Sequence, residues 1–124
     1  MRHDRRENMR PKALSAKSLI GDGVVNVQGE DLGKIEELMI DLNFGQVAYC
    51  VLSFGGFMGM GDKLFAIPWE AVTIDTDRKV FVINIDKETL KHAPGFDKDN
   101  WPQFDAEDWL IGVYDYYGYQ PYWR

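Results

Sequence analysis

The sequence predicts an all-β protein: a small, strongly bent barrel of six strands, closed off by a C-terminal helix and an aromatic tail. Three observations predict it. Short runs rich in Val, Ile, Phe and Tyr alternate with Gly, Asn and Asp turn residues. The run Lys63-Leu64-Phe65-Ala66-Ile67-Pro68-Trp69 is apolar on both of its faces yet too short for a buried helix, so it reads as a central strand covered on each side. The apolar alternation between Leu32 and Asp41 changes phase near Glu36-Glu37, which calls for a bulge, and small barrels need such bends.

Taken in order, residues 1–13 form a polar arm without periodicity. Ser15 to Gly21 reads as one helical turn, with Ser15 placed to cap it and Gly21 to stop it. The first strand is Val24 to Val27, and Gln28-Gly29-Glu30-Asp31 turns the chain. The second strand covers Leu32 to Asp41. Leu42-Asn43-Phe44-Gly45 is a hairpin turn in which Asn43 and Gly45 tolerate positive φ. The third strand, Gln46 to Phe54, sets Val47, Tyr49 and Val51 on one face and Ala48, Cys50, Leu52 and Phe54 on the other. The loop Gly55 to Asp62 follows. Pro68 lacks an amide hydrogen and marks a strand end or bulge, after which Trp69 begins a turn that carries its ring into the core. Val72 to Asp75 and Val80 to Ile85 are the fifth and sixth strands. Asp86 is placed to cap a short helix that runs to Lys91 and ends at Pro94-Gly95.

Composition narrows the function. A chain of 124 residues, with 45% of them apolar and 27% charged, fits one soluble globular domain with end segments. The longest uncharged stretch, Leu42 to Gly61, is broken by Asn43, Gln46, Ser53 and five glycines, so it does not read as a membrane span. The N-terminus has no apolar core of the kind a secretory signal needs, and a cytoplasmic setting is expected. Residues 1–17 carry +4 and the remainder −10, within a net charge of −6. The acidic body argues against nucleic acid as its ligand. The basic arm is open to two readings, a solvated tail that folds back on the acidic body or a contact with nucleic acid or an acidic partner.

No catalytic constellation is legible. Cys50 is the only cysteine and lies mid-strand, as a buried small hydrophobe or, alternatively, a reactive thiol. His3 lies in the arm and His92 at a helix end, so neither forms a nucleophile–base pair with a recognisable neighbour. The glycines of the Gly55–Asp62 loop match neither phosphate-binding spacing, and no helix follows. Asp75-Thr76-Asp77 and Asp97-Lys98-Asp99 lack the glycine and glutamate of a calcium loop. The expectation is a protein that is not an enzyme and uses neither cofactor nor metal.

The Ser-Ala-x-x-Leu-Ile-Gly lead-in, Val24 to Val27, Gly29-x-x-Leu32-Gly33-Lys34-Ile35, the hairpin, the glycine-rich loop and Leu64-Phe65-Ala66-Ile67-Pro68-Trp69-Glu70-Ala71 together resemble the PRC-barrel family. The resemblance covers roughly residues 14–92, the expected domain, and leaves 93–124 as an extension. It implies an SH3-like barrel that serves as a protein-binding or assembly module and lends no catalytic residues. Relatives in that family include the cytoplasmic domain of the photosynthetic reaction-centre H subunit and the C-terminal domain of a ribosome-maturation factor. An accessory role in RNA metabolism or on the ribosome is therefore the alternative reading.

In the extension, Asp105 can cap a helix whose Trp109, Val113, Tyr116 and Tyr117 share one face. Nine aromatics lie between Trp101 and Arg124. This segment either covers its own barrel or docks on another chain, and Tyr and Trp are enriched at interface hot spots. The expected partner-binding residues are Phe57, Met58 and Met60 in the loop, and Trp109, Tyr116, Tyr117, Tyr119, Tyr122 and Trp123 in the extension. The expected partners are an unidentified protein and a second copy of this chain, as a homodimer.

Overall fold

The computed structural model describes residues 9–55, 63–103 and 107–124. Among these residues six strands form, β1 (Gly23–Asn26), β2 (Asp31–Asp41), β3 (Gln46–Phe54), β4 (Lys63–Pro68), β5 (Val72–Asp75) and β6 (Val80–Ile83), flanked by three α-helices, α1 (Ala16–Leu19), α2 (Lys87–Lys91) and α3 (Glu107–Tyr117). The strand order is β4-β3-β2-β1-β6-β5, antiparallel except for the parallel pair β1–β6. The sheet is not a ring of hydrogen bonds, because β4 and β5 both stand at its edges. Side chains close it: Phe65 and Ile67 of β4 share one core with Phe81 and Ile83 of β6, and Val72 and Ile74 of β5 pack against that core. This is the expected bent SH3-like barrel, closed by packing.

Bulges bend the long strands. Ile35 faces Leu52 and Glu37 faces Val51, so Glu36 is the extra residue, at the point where the apolar alternation shifts phase. A second bulge lies opposite Val24/Val25, where Leu32 is extra. A third is on β3: Met39 faces Tyr49 and Ile40 faces Val47, leaving Ala48 unpaired. That bulge corrects the expected faces of β3. Ala48 joins Tyr49 and Val51 on the outer side, while Cys50, Leu52 and Phe54 face the inner core.

Side-chain caps set the turns. Asn26 Oδ1 accepts from the amides of Gln28 (3.1 Å) and Glu30 (2.9 Å). This ends β1 one residue early and leaves Val27 exposed. At the hairpin only Gly45 takes positive φ; Asn43 does not. Asp86 caps α2 as expected, its Oδ1 accepting from Thr89 N at 2.7 Å, the usual geometry of an aspartate N-cap. Ser15 stands at the N-cap of α1 without a side-chain cap bond. β6 stops at Ile83, short of the expected Ile85, which is nonetheless buried. Pro68 ends β4, and Trp69–Ala71 form a 3-10 turn that sets the Trp69 ring 6.4 Å from Phe81.

The outer face of β3 and β4 is covered by α3, which explains why β4 is apolar on both sides. A second core unites Ala48, Tyr49, Val51, Leu64 and Ala66 with Val113, and Trp109, Leu110 and Tyr117 pack against it. After α2 the chain returns to the β4 edge, where Leu64 and Phe96 exchange backbone hydrogen bonds of 3.0 and 2.8 Å. Helix α3 ends in a Schellman turn: Gly118 has φ +81, and Tyr119 N donates to Tyr114 O at 2.9 Å.

Candidate partner-binding groove

The rotation of α3 decides which rings stay available. Trp109, Leu110, Val113, Tyr114 and Tyr117 form its inward stripe, with Val113 and Tyr114 fully buried. The expected stripe therefore needs one correction. Tyr116 lies at the margin, 38% exposed, and its hydroxyl donates to Thr89 O of α2 at 2.7 Å. The inward position belongs to Tyr114, whose hydroxyl donates to Ala48 O at 2.6 Å. A bulged residue has no ladder partner, so Tyr114 satisfies the carbonyl that the bulge orphans.

Beyond α3 the chain folds back along the helix N-terminus and the β2–β3 hairpin. Tyr122 OH donates to Asp41 Oδ2 at 2.5 Å, and Trp123 Nε1 donates to Glu107 Oε2 at 2.9 Å. The Tyr122 ring meets Phe44 edge-on at 5.5 Å, and the Trp123 ring packs on Tyr114 at 5.3 Å. Between tail and hairpin lies an open groove of about 630 Å³. Met39, Ile40, Leu42, Phe44, Leu110 and Trp123 are among its walls, with Asp41 and Glu107 at its polar points. Ile40 is 49% exposed, Leu42 90% and Phe44 56%. They form a cluster of large apolar side chains in water, a feature that marks interaction sites.

The carboxylate of Asp41 is held in place from three directions. Its Oδ1 accepts from Asn43 N (2.9 Å) and Phe44 N (3.1 Å), while Oδ2 takes the Tyr122 proton. The Tyr122 bond, with help from the two amides, keeps the Asp41 carboxyl below the usual aspartate range against a smaller opposing effect of burial. Burial, then the bond to Asp41 and its charge, push the Tyr122 phenol well above its ordinary value. The pair is thus a phenol donating to a carboxylate at neutral pH.

The expected site residues divide. Tyr122 and Trp123 wall the groove. Trp109 packs inward against Tyr49 (5.7 Å) and Phe96 (6.2 Å). Tyr117 bridges both cores, and Tyr119 packs on the inner one. Phe57, Met58, Met60 and the expected capping residue Asp105 lie outside the described residues. Sequence reasoning missed Ile40, Leu42 and Phe44; the available signal was a hairpin turn that carries two large apolar residues where turns are ordinarily polar. Among the described residues, no cluster of three or more His, Cys, Asp or Glu side chains is placed to hold a metal ion, and no helix is long and apolar enough to cross a membrane. Burial pushes the Cys50 thiol up to about 12.

Architecture and site together define a small bent β-barrel with a helical cover and an apolar groove at its rim. The family model for the PRC-barrel domain matches residues 11–90, and the chain belongs to that family. Among solved structures, the chain is similar to RimM of Pseudomonas aeruginosa, described as a 16S ribosomal RNA processing protein, at 20% identity and a TM-score of 0.43. That match covers 67% of this chain and 49% of the other, so the chain spans about half the length of that protein. No curated protein matches it.

Proposed function

We propose that this chain is a non-catalytic protein-interaction module of the cytoplasm, and that the groove beside the β2–β3 hairpin is its docking surface. One observation carries the reading: Ile40, Leu42 and Phe44 stand in solvent beside a groove walled by an anchored aromatic tail. Exposed apolar clusters of this kind mark interaction sites, and large rings fixed in place cost little entropy on binding. Self-association is part of the proposal. Its place is a surface of the barrel or of the aromatic C-terminal segment outside the groove, such as the exposed side of Tyr116. The buried, unpaired thiol of Cys50 fits a reducing compartment.

The test is co-purification of the full-length chain from its own cells, with and without RNase, beside the double variant Leu42→Ser/Phe44→Ser. Light scattering of both proteins accompanies it. A partner that survives RNase and is lost with the double variant supports the reading. A partner set of ribosomal proteins that disappears with RNase, indifferent to the variant, refutes it in favour of a ribosome-associated role. A monomer at tens of micromolar removes self-association alone.

A further inference from the structure

We infer that the groove takes a cationic peptide segment of a protein partner, an arginine or lysine flanked by aliphatic residues; the inference rests on the docking reading above. Its charged lining groups are Asp41 and Glu107, and no Lys or Arg lines it among the described residues. Both carboxylates are fixed. Asp41 is held by two amides and the Tyr122 hydroxyl, and Glu107 by the Trp123 indole through Oε2. Glu107 Oε1 carries no hydrogen bond among the described residues, so it can accept one from a ligand. The rings of Phe44, Tyr122 and Trp123 stand beside these carboxylates. Aromatic faces next to fixed negative charge attract guanidinium and ammonium groups. Ile40 and Leu42 supply the apolar surface on which aliphatic neighbours and the methylene stem of the basic residue can lie.

Charge also decides among occupants. Residues 18–124 carry −10, so a basic segment is drawn to the body as a whole and then seated by the groove. A second copy brings the same two carboxylates to the contact, and its hairpin tip, Leu42-Asn43-Phe44, offers no cation to meet them. A nucleic acid meets an acidic rim.

The experiment uses the full-length, isotope-labelled chain and two capped peptides of alternating leucine and arginine, identical except that citrulline replaces arginine in one. Citrulline keeps the shape and removes the charge. The expected result is that the arginine peptide shifts the amides of Ile40, Leu42 and Phe44 and the Trp123 indole. Its affinity should exceed that of the citrulline peptide by about tenfold, a gap that closes in high salt. Glu107→Gln, whose amide oxygen can still accept from the Trp123 indole, should reduce the preference several-fold with the melting temperature lowered by no more than the loss of one first-turn helix charge.

Equal binding of both peptides in the groove overturns the cationic inference while the docking reading stands. Shifts scattered over the acidic surface, with the groove unmoved, overturn it as well. Groove signals that move with protein concentration alone, before peptide is added, make a second copy the occupant and also overturn it. Failure of the docking reading is separate, because it shows in the co-purification, where the hairpin variant then retains its partner.

Discussion

Tyr114 and Tyr117 lie one helical turn apart on the same face of α3, and removing the hydroxyl from each should have opposite effects. Tyr114 is fully buried and its hydroxyl donates to Ala48 O at 2.6 Å. Tyr114→Phe leaves the bulge carbonyl buried without a donor, which costs about 1–3 kcal/mol. The Tyr117 hydroxyl is buried with no hydrogen-bond partner among the described residues. Its desolvation is already uncompensated, so Tyr117→Phe should range from neutral to a gain of about 1 kcal/mol. The gap between the two variants is about 2 kcal/mol, a factor of roughly 30 in the folding equilibrium.

Urea titration followed by near-ultraviolet circular dichroism reads both variants on one scale, with the double variant as a check on additivity. Equal losses for the two variants would refute the reasoning, since they would mean that the Tyr117 hydroxyl is satisfied. A Tyr114→Phe variant as stable as the parent would show that the bulge carbonyl finds water, and that α3 is held by packing alone.

Gly33 has φ +134, and a Cβ there would lie 2.0 Å from Ser53 O in the neighbouring strand. Gly33→Ala should therefore cost more than about 3 kcal/mol or prevent folding, read as a lost or lowered melting transition. Cys50 should resist a thiol reagent at about pH 8 in the folded protein and react only at the rate of global opening, since burial pushes its pKa up to about 12. Burial holds the phenols of Tyr114 and Tyr117 above their ordinary value, with the charge of Glu70 adding at Tyr114 and the neighbouring Tyr116 at Tyr117. An unfolded tyrosine ionises near about pH 10, so the unfolded chain sheds these protons first. Their stabilising contribution is complete below about pH 10 and falls as pH rises toward the folded values; alkaline melts should show the decline starting there.

The strands were legible because period-two alternation is written locally, and so was the Glu36 bulge, where the alternation itself changes phase. The Asp86 cap was legible for the same reason. The rotation of α3 was not. Trp109, Leu110, Ile111, Val113, Tyr114, Tyr116 and Tyr117 span more than half of the helix circumference, opposite a polar strip of Asp108, Gly112 and Asp115, so the broad apolar arc does not by itself say which of Tyr114 and Tyr116 is the buried ring. The surroundings decide: the Ala48 carbonyl gives the Tyr114 hydroxyl a partner, and the rings of Tyr122 and Trp123 pack against the Tyr114 ring. The Ala48 bulge leaves no trace in composition, because a one-residue shift between apolar neighbours looks like alternation. The groove was hidden because its two walls, residues 39–44 and 107–123, are far apart in sequence and meet only once α3 has docked.

The tail is therefore a wall of the site, not a free arm. Its anchors, Tyr122 to Asp41 and Trp123 to Glu107, use the same two carboxylates that give the groove its charge. A ligand that engages Glu107 through Oε1 leaves the Trp123 anchor intact, whereas one that takes Oε2 must release it. Removing residues 121–124 separates this account from one in which the tail itself grips the partner. The truncated chain keeps Leu42, Phe44 and both carboxylates but loses one wall and the bonds that orient the charges, so it should bind the arginine peptide more weakly than the full chain while still folding. An isolated peptide of residues 116–124 should neither bind the partner nor compete for it. Competition by that peptide would assign recognition to the tail's own rings and remove the groove from the mechanism.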